Sequence, residues 1–404
     1  MTTTRLPQIT WSQASARRRE RQFLATPAPA DVPLADVVGA MLGAHAQVLS
    51  AAELSVGLRT TGATRADVRA ALWEDRSLVK TFGPRGTVHL LPAHELPLWC
   101  AALSAVPRGT SPFPPDVRLT EEQEEQVVAA IGDALAGACL TIDELSEEVV
   151  ARTGAWAGDL VMPAFQDMWP RWRQVLHRAG WAGALCFGPN RGRKVTYTRP
   201  PAADVPTRTD ATDAVPAFVR RYLHAYGPAT PQHFAKWLAT PAGWAAEVFR
   251  ESALAGGIEE VEFEGARGWW VASGDTEFPS VPSVPPAPSA PEAGAAPGVR
   301  LLPYFDAYAI AAQPRERLFP GRAYERALAG GQAGNFPVLL VDGVVAGVWH
   351  QRRSGRRTTV TVEPLGSLTA RQERELGEQV ERVGEVLEAR AELVVGEVKV
   401  GPHA

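Results

Sequence analysis

Three times within the first 275 residues the chain repeats one order of elements: a capped helix, a turn, a second capped helix, then two short strands around a turn. In the first copy Ser50 stands where it can cap a helix running through Arg59, with Glu53 three residues on as in a capping box. Thr64 caps a second helix to about Asp75, and Leu78–Phe82, Gly83-Pro84-Arg85-Gly86 and 87–91 read as strand, turn, strand. The second copy opens on the capping box Thr141-Ile142-Asp143-Glu144, with one helix to Arg152 and another over 163–179. Its hairpin has arms at 184–187 and 195–199 around the turn GPNRGRK. The third opens on Thr230-Pro231, proline being well placed at a first helical position, and continues with a helix from about Pro241 to Leu254. Its hairpin is Ile258–Phe263, EGARG and 269–272. The copies share a plan and not residues, and the plan is that of the winged helix, so the fold class reads as α+β.

The clearest boundary is 276–298, where seven of 23 residues are proline and most others are Ala, Ser or Gly; this composition reads as an extended linker. Weaker breaks fall at 107–116 and 200–216. Beyond the linker, 299–303, 337–341, 344–351 and 358–362 read as strands, with Asp342-Gly343 a strong hairpin turn between the second and third. A charged helix over 369–389, with Thr369 as its cap, and a last strand over 392–399 complete a small closed or nearly closed β unit. The expected division is therefore 1–106 as winged helix 1 with an N-terminal helix, 107–212 as winged helix 2, 213–275 as winged helix 3, the 276–298 linker, and 299–404 as a β-barrel domain.

Composition narrows the function classes. No run approaches the roughly 18 apolar residues a spanning helix needs, and the N-terminus has no apolar stretch before a small-residue cleavage site, so neither a membrane role nor secretion is expected. Cys100, Cys139 and Cys186 are odd in number and lack metal-ligand spacing; three reduced thiols in a cytoplasmic protein is the reading, with no metal and no organic cofactor. The net charge of −4 means that any affinity for nucleic acid must come from local clusters.

Such clusters exist. Arg85 occupies the first wing turn, and Arg191, Arg193 and Lys194 the second. Guanidinium groups at wing tips suit phosphate contact, and a solvated basic turn is the alternative for each one. The strongest group is Arg352, Arg353, Arg356 and Arg357, four arginines at one hairpin tip that repel one another unless an anion screens them. Contact with sugar and phosphate is favoured there over charge protection of an edge strand. A further group, Arg17-Arg18-Arg19 with Arg21, lies on an N-terminal helix, where a solvated face explains it at least as well.

The chain carries no Walker loop, no His-Glu-x-x-His, no nucleophile elbow and no Cys-x-x-Cys. Its informative stretch for chemistry is Met41-Leu42-Gly43-Ala44-His45-Ala46-Gln47-Val48-Leu49, an apolar segment with two polar side chains two apart. In extended backbone His45 and Gln47 would project together. From composition alone they are better read as a satisfied polar pair bracing a helix end.

At these residues the chain resembles the bacterial AlkZ-like DNA glycosylases, which include the YcaQ-like repair enzymes. The resemblance runs through MLGAHAQVLSAAELSVGLRT, RGTVHLLPAHELPLW (85–99), LCFGPNRGRKVTYTRP (185–200), YLHAYGPATPQHFAKWL (222–238), LLPYFDAYAIA (301–311) and FPVLLVDGVVAGVW (336–349), nearly the whole chain. It implies three tandem winged helices and a C-terminal β-barrel in a C shape, acting as a monomer on double-stranded DNA that carries alkylated bases. The family's catalytic signature resembles Gln, an apolar residue, Gln; here it is His45, Ala46, Gln47, so Gln47 carries over and His45 departs. The resemblance implies hydrolysis of the N-glycosidic bond of bulky N7-alkylpurines such as N7-alkylguanine, with unhooking of interstrand cross-links and self-resistance to a genotoxic natural product as further expectations. A purine alkylated at N7 is already cationic, so the remaining task is to stabilise an oxocarbenium-like sugar and aim a water at it. Asp306 is a second candidate, able to stabilise positive charge; a helix cap or an arginine's partner is its alternative role. Two other readings stand beside the enzyme: a winged-helix transcriptional regulator that binds DNA without chemistry, and an inactive interaction protein.

Overall fold

The computed structural model describes residues 5–109, 111, 113–164, 167–201, 211–280, 298–328 and 330–401. The greater part of the expected linker at 276–298 lies outside the described residues, as does that of the weaker break at 200–216. The fold is α+β, and the chain divides into two compact units, Met1–Arg69 with Val219–Phe234 and Phe249–Ala404, and Ala70–Phe218 with Ala235–Val248.

The first unit holds two sheets. Gln8–Ile9 adds a parallel strand to the hairpin Ile258–Phe263/Ala266–Ala272, and Ile9, Ala14, Val261, Phe263 and Val271 close the core beneath it. The helix Trp11–Arg21 follows, capped reciprocally by Thr10 and Gln13. Its arginines are not a solvated face. Arg18 is 1% exposed and its guanidinium donates to the carbonyls of Gly227, Pro228 and Gln313, while Arg17 is buried against Phe278 and donates to the carbonyls of Asp275 and Glu277. Five donors in a fixed fork let arginine collect carbonyls that no helix or strand uses.

The second sheet is C-terminal and has five strands in the order Val299–Leu302, Val338–Val341, Val344–Ser354, Arg357–Pro364, Arg390–Val395. The first four pair antiparallel and the last joins parallel after the helix Ala370–Val386. Of the expected closed or nearly closed β-barrel, the described residues form a five-stranded sheet whose two terminal strands do not pair with each other, an arrangement compatible with a half-barrel. Each edge has another solution. Glu375 reaches from the helix to accept the N–H groups of Gly298 and Val299, and Arg390–Val395 is left as a short outer strand with Val394 and Val395 exposed. Leu376, Val380, Val383 and Val386 form one helical stripe on the sheet.

The helix Leu49–Gly57 is built into this sheet's core through Leu54 and Leu58. Gly57 lies so close to Val386 that a Cβ there would fall 2.5 Å from its side chain. Arg382 caps the helix end by donating to the carbonyls of Gly57, Thr60 and Ala63. The expected Ser50–Glu53 capping box does not form: the N-cap position is Val48, with no side-chain bond, and Glu53 is buried in a pair with Arg69. The next helix starts as expected after Thr64, whose backbone N–H and hydroxyl both donate to Asp67.

The second unit carries the hairpin Leu78–Phe82/Val88–Pro92, the helices Leu96–Ser104, Glu121–Ala134 and Ile142–Thr153, and the sheet Cys139–Thr141, Lys194–Thr198, Cys186–Arg191. The Thr141–Glu144 capping box is present. The helix expected over 163–179 is absent; strands Leu160–Pro163 and Met168–Pro170 pair instead, and the helix is only Leu176–Trp181. Two prolines explain this, since Pro163 and Pro170 each forbid helical hydrogen bonding and push the preceding residue toward extended backbone. Trp99 and Trp172 are fully buried here, Trp172 donating to Ser146.

Candidate active site

The segment Met41–Ala46 is wholly buried. It leaves the helix Leu34–Ala40 through a left-handed turn, Leu42 at φ +55° and Gly43 at φ +88°, with Gly43 N–H returning to the Val38 carbonyl. The Tyr226 hydroxyl fixes the exit by donating to the Met41 carbonyl at 2.6 Å. A two-residue strand, Ala44–His45, follows, and the chain then bends at Gln47–Val48 into the helix Leu49–Gly57. His45 is therefore the last residue of this short strand, three residues before the helix N-cap Val48.

His45 is 8% exposed and its ring lies 4.7 Å from that of Phe305, tilted by 34°. Gln47 is exposed, and its amide makes no hydrogen bond among the described residues. The two side chains thus differ in environment, one held and one open to solvent. The strand covers only Ala44–His45, and Gln47 lies in the bend that follows it.

Asp306 lies in the turn after the strand Val299–Leu302 and caps the short helix Ala307–Ala311. Its Oδ1 accepts from Arg59 Nη2 at 2.8 Å and from the Tyr308 N–H at 3.0 Å. Its Oδ2 accepts from Arg59 Nη1 at 2.7 Å and from the Ser55 hydroxyl at 2.6 Å. Four bonds use the acceptor capacity of a carboxylate, and the residue is 1% exposed. Asp306 is thus a helix cap and an arginine's partner, the stronger of the two roles weighed for it from sequence.

The wing cations are mostly engaged within their own unit. Arg85 donates to the Trp237 carbonyl at 2.7 Å. Arg191 bonds both oxygens of Glu144 and the Cys139 carbonyl, and Lys194 pairs with Asp143 at 2.7 Å. Arg193, at the turn beside Gly192, is exposed and has no ion pair among the described residues. The C-terminal hairpin differs. Its strands run through the basic residues to a two-residue turn, Gly355-Arg356, and Arg352, Arg353, Arg356 and Arg357 are all exposed. Among the described residues none of the four has a carboxylate within ion-pair distance; Arg353 bonds only the Gly355 carbonyl.

Sequence reading did not single out Phe305, Arg59 or Ser55 as parts of this site. Phe305 had a signal, its place beside Asp306 inside LLPYFDAYAIA. Arg59 had none, because its partner lies 247 residues away.

Three comparisons bear on this arrangement. The AlkZ-like family model, described as DNA glycosylase AlkZ-like, matches residues 38–386. An interstrand DNA cross-link repair glycosylase from Streptomyces sahachiroi is 32% identical over 358 residues, covering 84% of this chain and 87% of that protein. A solved structure of Streptomyces sahachiroi DNA glycosylase AlkZ matches with a TM-score of 0.77 at 28% identity, over 96% of this chain and 100% of its own. With a family match spanning both His45–Gln47 and the arginine hairpin, and a fold shared over nearly its whole length, the chain belongs to the AlkZ-like DNA glycosylases and acts on DNA.

Proposed function

We propose that this glycosylase hydrolyses the N-glycosidic bond of bulky N7-alkylpurines, N7-alkylguanine foremost, and unhooks interstrand cross-links built on that chemistry. The observation that carries the reading is the polar couple at the end of a buried strap: a ring held in place at His45 and an exposed, unengaged amide at Gln47. The cross-link substrate is supported by the relative whose name states that activity. Repair of alkylated DNA and self-resistance in a producer of a genotoxic compound are the two biological settings the chemistry fits.

The steps follow from charge. Alkylation at N7 makes the purine cationic, so when the C1′–N9 bond breaks its electron pair neutralises the leaving base. The sugar becomes oxocarbenium-like. Gln47 holds a water beside C1′, and His45 orients that water and takes its proton as the new C–O bond forms. Asp306 acts from behind, fixing the turn on which Phe305 sits. Arg352, Arg353, Arg356 and Arg357 grip the phosphates, with Arg193 as a further contact; Arg191 and Lys194 contribute their charge while paired with Glu144 and Asp143, and Arg85, tied to the Trp237 carbonyl, adds little. Three winged-helix modules, 1–106, 107–212 and 213–275, hold His45, Gln47 and the wing cations, while Asp306 and the arginine hairpin belong to the domain at 299–404; the element order read from the sequence is the support for that division.

The test is single-turnover excision from an N7-alkylguanine duplex, read as alkali-labile strand cleavage. His45→Ala and Gln47→Ala should each slow excision by about 10- to 100-fold with duplex affinity nearly intact. Unchanged rates in both would remove the couple from the mechanism; sequence-selective binding with no abasic product in the parent protein would mark a regulator instead.

A further inference from the structure

Phe305 has a backbone conformation that its side chain disfavours. Its φ is +56°, in the left-handed region, where a bulky residue costs about 1–2 kcal/mol. The turn is closed by the Asp306 N–H to the Pro303 carbonyl at 3.4 Å, so Phe305 stands at the third position of a four-residue turn, the place that turns with positive φ give to glycine or asparagine. The conformation is held from several sides. The Phe305 N–H donates to the Gly334 carbonyl at 2.9 Å. Gly334 is itself at φ +95°, and a Cβ on it would come within 3.2 Å of the Phe305 Cα and ring. On the other flank, Asp306 is locked by Arg59, Ser55 and the Tyr308 N–H. Strain of this kind persists only where the surroundings over-determine it, and it gathers at functional sites. What it achieves here is visible: the Phe305 ring is delivered to 4.7 Å from the His45 imidazole.

We propose that Phe305 is a positioning residue, its ring fixing the plane of the His45 imidazole so that the reacting nitrogen faces the water beside the sugar. The inference rests on the reading of His45 given above and deepens it. Phe305 itself touches no reacting atom. A tilted aromatic neighbour restricts how the His45 ring turns about its side-chain bonds, at small cost in polarity. Glycine would relieve the turn and lose the ring, which separates backbone comfort from ring placement.

The experiment is a cycle of single-turnover excision rates on the full chain, using an N7-alkylguanine duplex, for the parent protein, H45A, F305L, H45A/F305L, F305G and F305Y. F305L and F305G are expected to be about tenfold slower, with duplex affinity within about twofold, while F305Y retains the ring and stays within about threefold of the parent. In the H45A background F305L should change the rate by less than about twofold, because the ring then has nothing to orient. Multiplying effects in the double variant, or an F305Y as slow as F305L, overturns the proposal. Should F305L fold poorly, F305G, whose backbone suits the turn, carries the same comparison. A normal rate for H45A alone would sink the reading of the site and this inference with it, whereas a slow H45A with uncoupled Phe305 variants sinks only the inference.

Discussion

Arg59 and Asp306 form a two-pronged ion pair in which neither side chain reaches solvent. The pair joins the helix that follows the His45 strap to the turn that carries Phe305. Breaking a buried pair by removing one charge costs about 3–5 kcal/mol, because the other is left uncompensated. Asp306→Asn should therefore lower unfolding free energy by roughly that amount in a denaturant titration. Excision should fall with the folded fraction, and any further loss per folded molecule reports looser Phe305 placement. A stability loss below about 1 kcal/mol would mean that the pair does not hold the turn.

The exposed arginine hairpin makes a second expectation quantitative. Removing one phosphate-binding cation reduces the slope of log affinity against log salt by about 0.9. Replacing Arg352, Arg353, Arg356 and Arg357 by alanine together should reduce that slope by about 2–4 and weaken binding to all sequences alike. Arg85→Ala serves as the contrast: its guanidinium is committed to the Trp237 carbonyl, so the slope should be nearly unchanged. Equal slopes for the quadruple variant and the parent would assign the hairpin to edge protection.

The difference between those two arginine groups marks where sequence reading stops. The capping boxes at Thr141 and Thr369 and the Asp342-Gly343 turn were legible because each is a local code of a few residues. The buried fate of Arg17 and Arg18, the Arg59–Asp306 pair and the commitment of Arg85 were not, since each depends on partners far away in the chain. Pro163 and Pro170 did carry a local warning against the helix expected over 163–179, and the structure follows the prolines. At the site, the identities of His45 and Gln47 could be read, whereas their separation into a held ring and an open amide required the end of the strand to be seen. Phe305 falls between these cases: it stands next to a candidate residue, but a positive φ at phenylalanine is invisible in a sequence.

His177 offers a test by pH. Its ring packs edge-on against Trp181 at 5.1 Å and backs onto Gly86, and burial, with the charge of Arg178 in second place, pushes its titration down to about 4. In the unfolded chain the imidazole titrates near ~6.5. Above that value both states are neutral and His177 adds no pH dependence. Between about 6.5 and 4 the unfolded state takes up a proton that the folded state refuses, so stability falls as pH falls through this window. Because the ring is only partly enclosed, the loss should be about 2 kcal/mol, short of the full linkage value. His177→Phe keeps the packing on Trp181 and removes the titration. The melting temperature of the parent should then drop more steeply than that of H177F between pH 7 and pH 4.5. His224 and His350, also shifted down by burial, titrate in both proteins and cancel in the comparison. Parallel curves would show that His177 is protonated as readily in the folded chain as in the unfolded one.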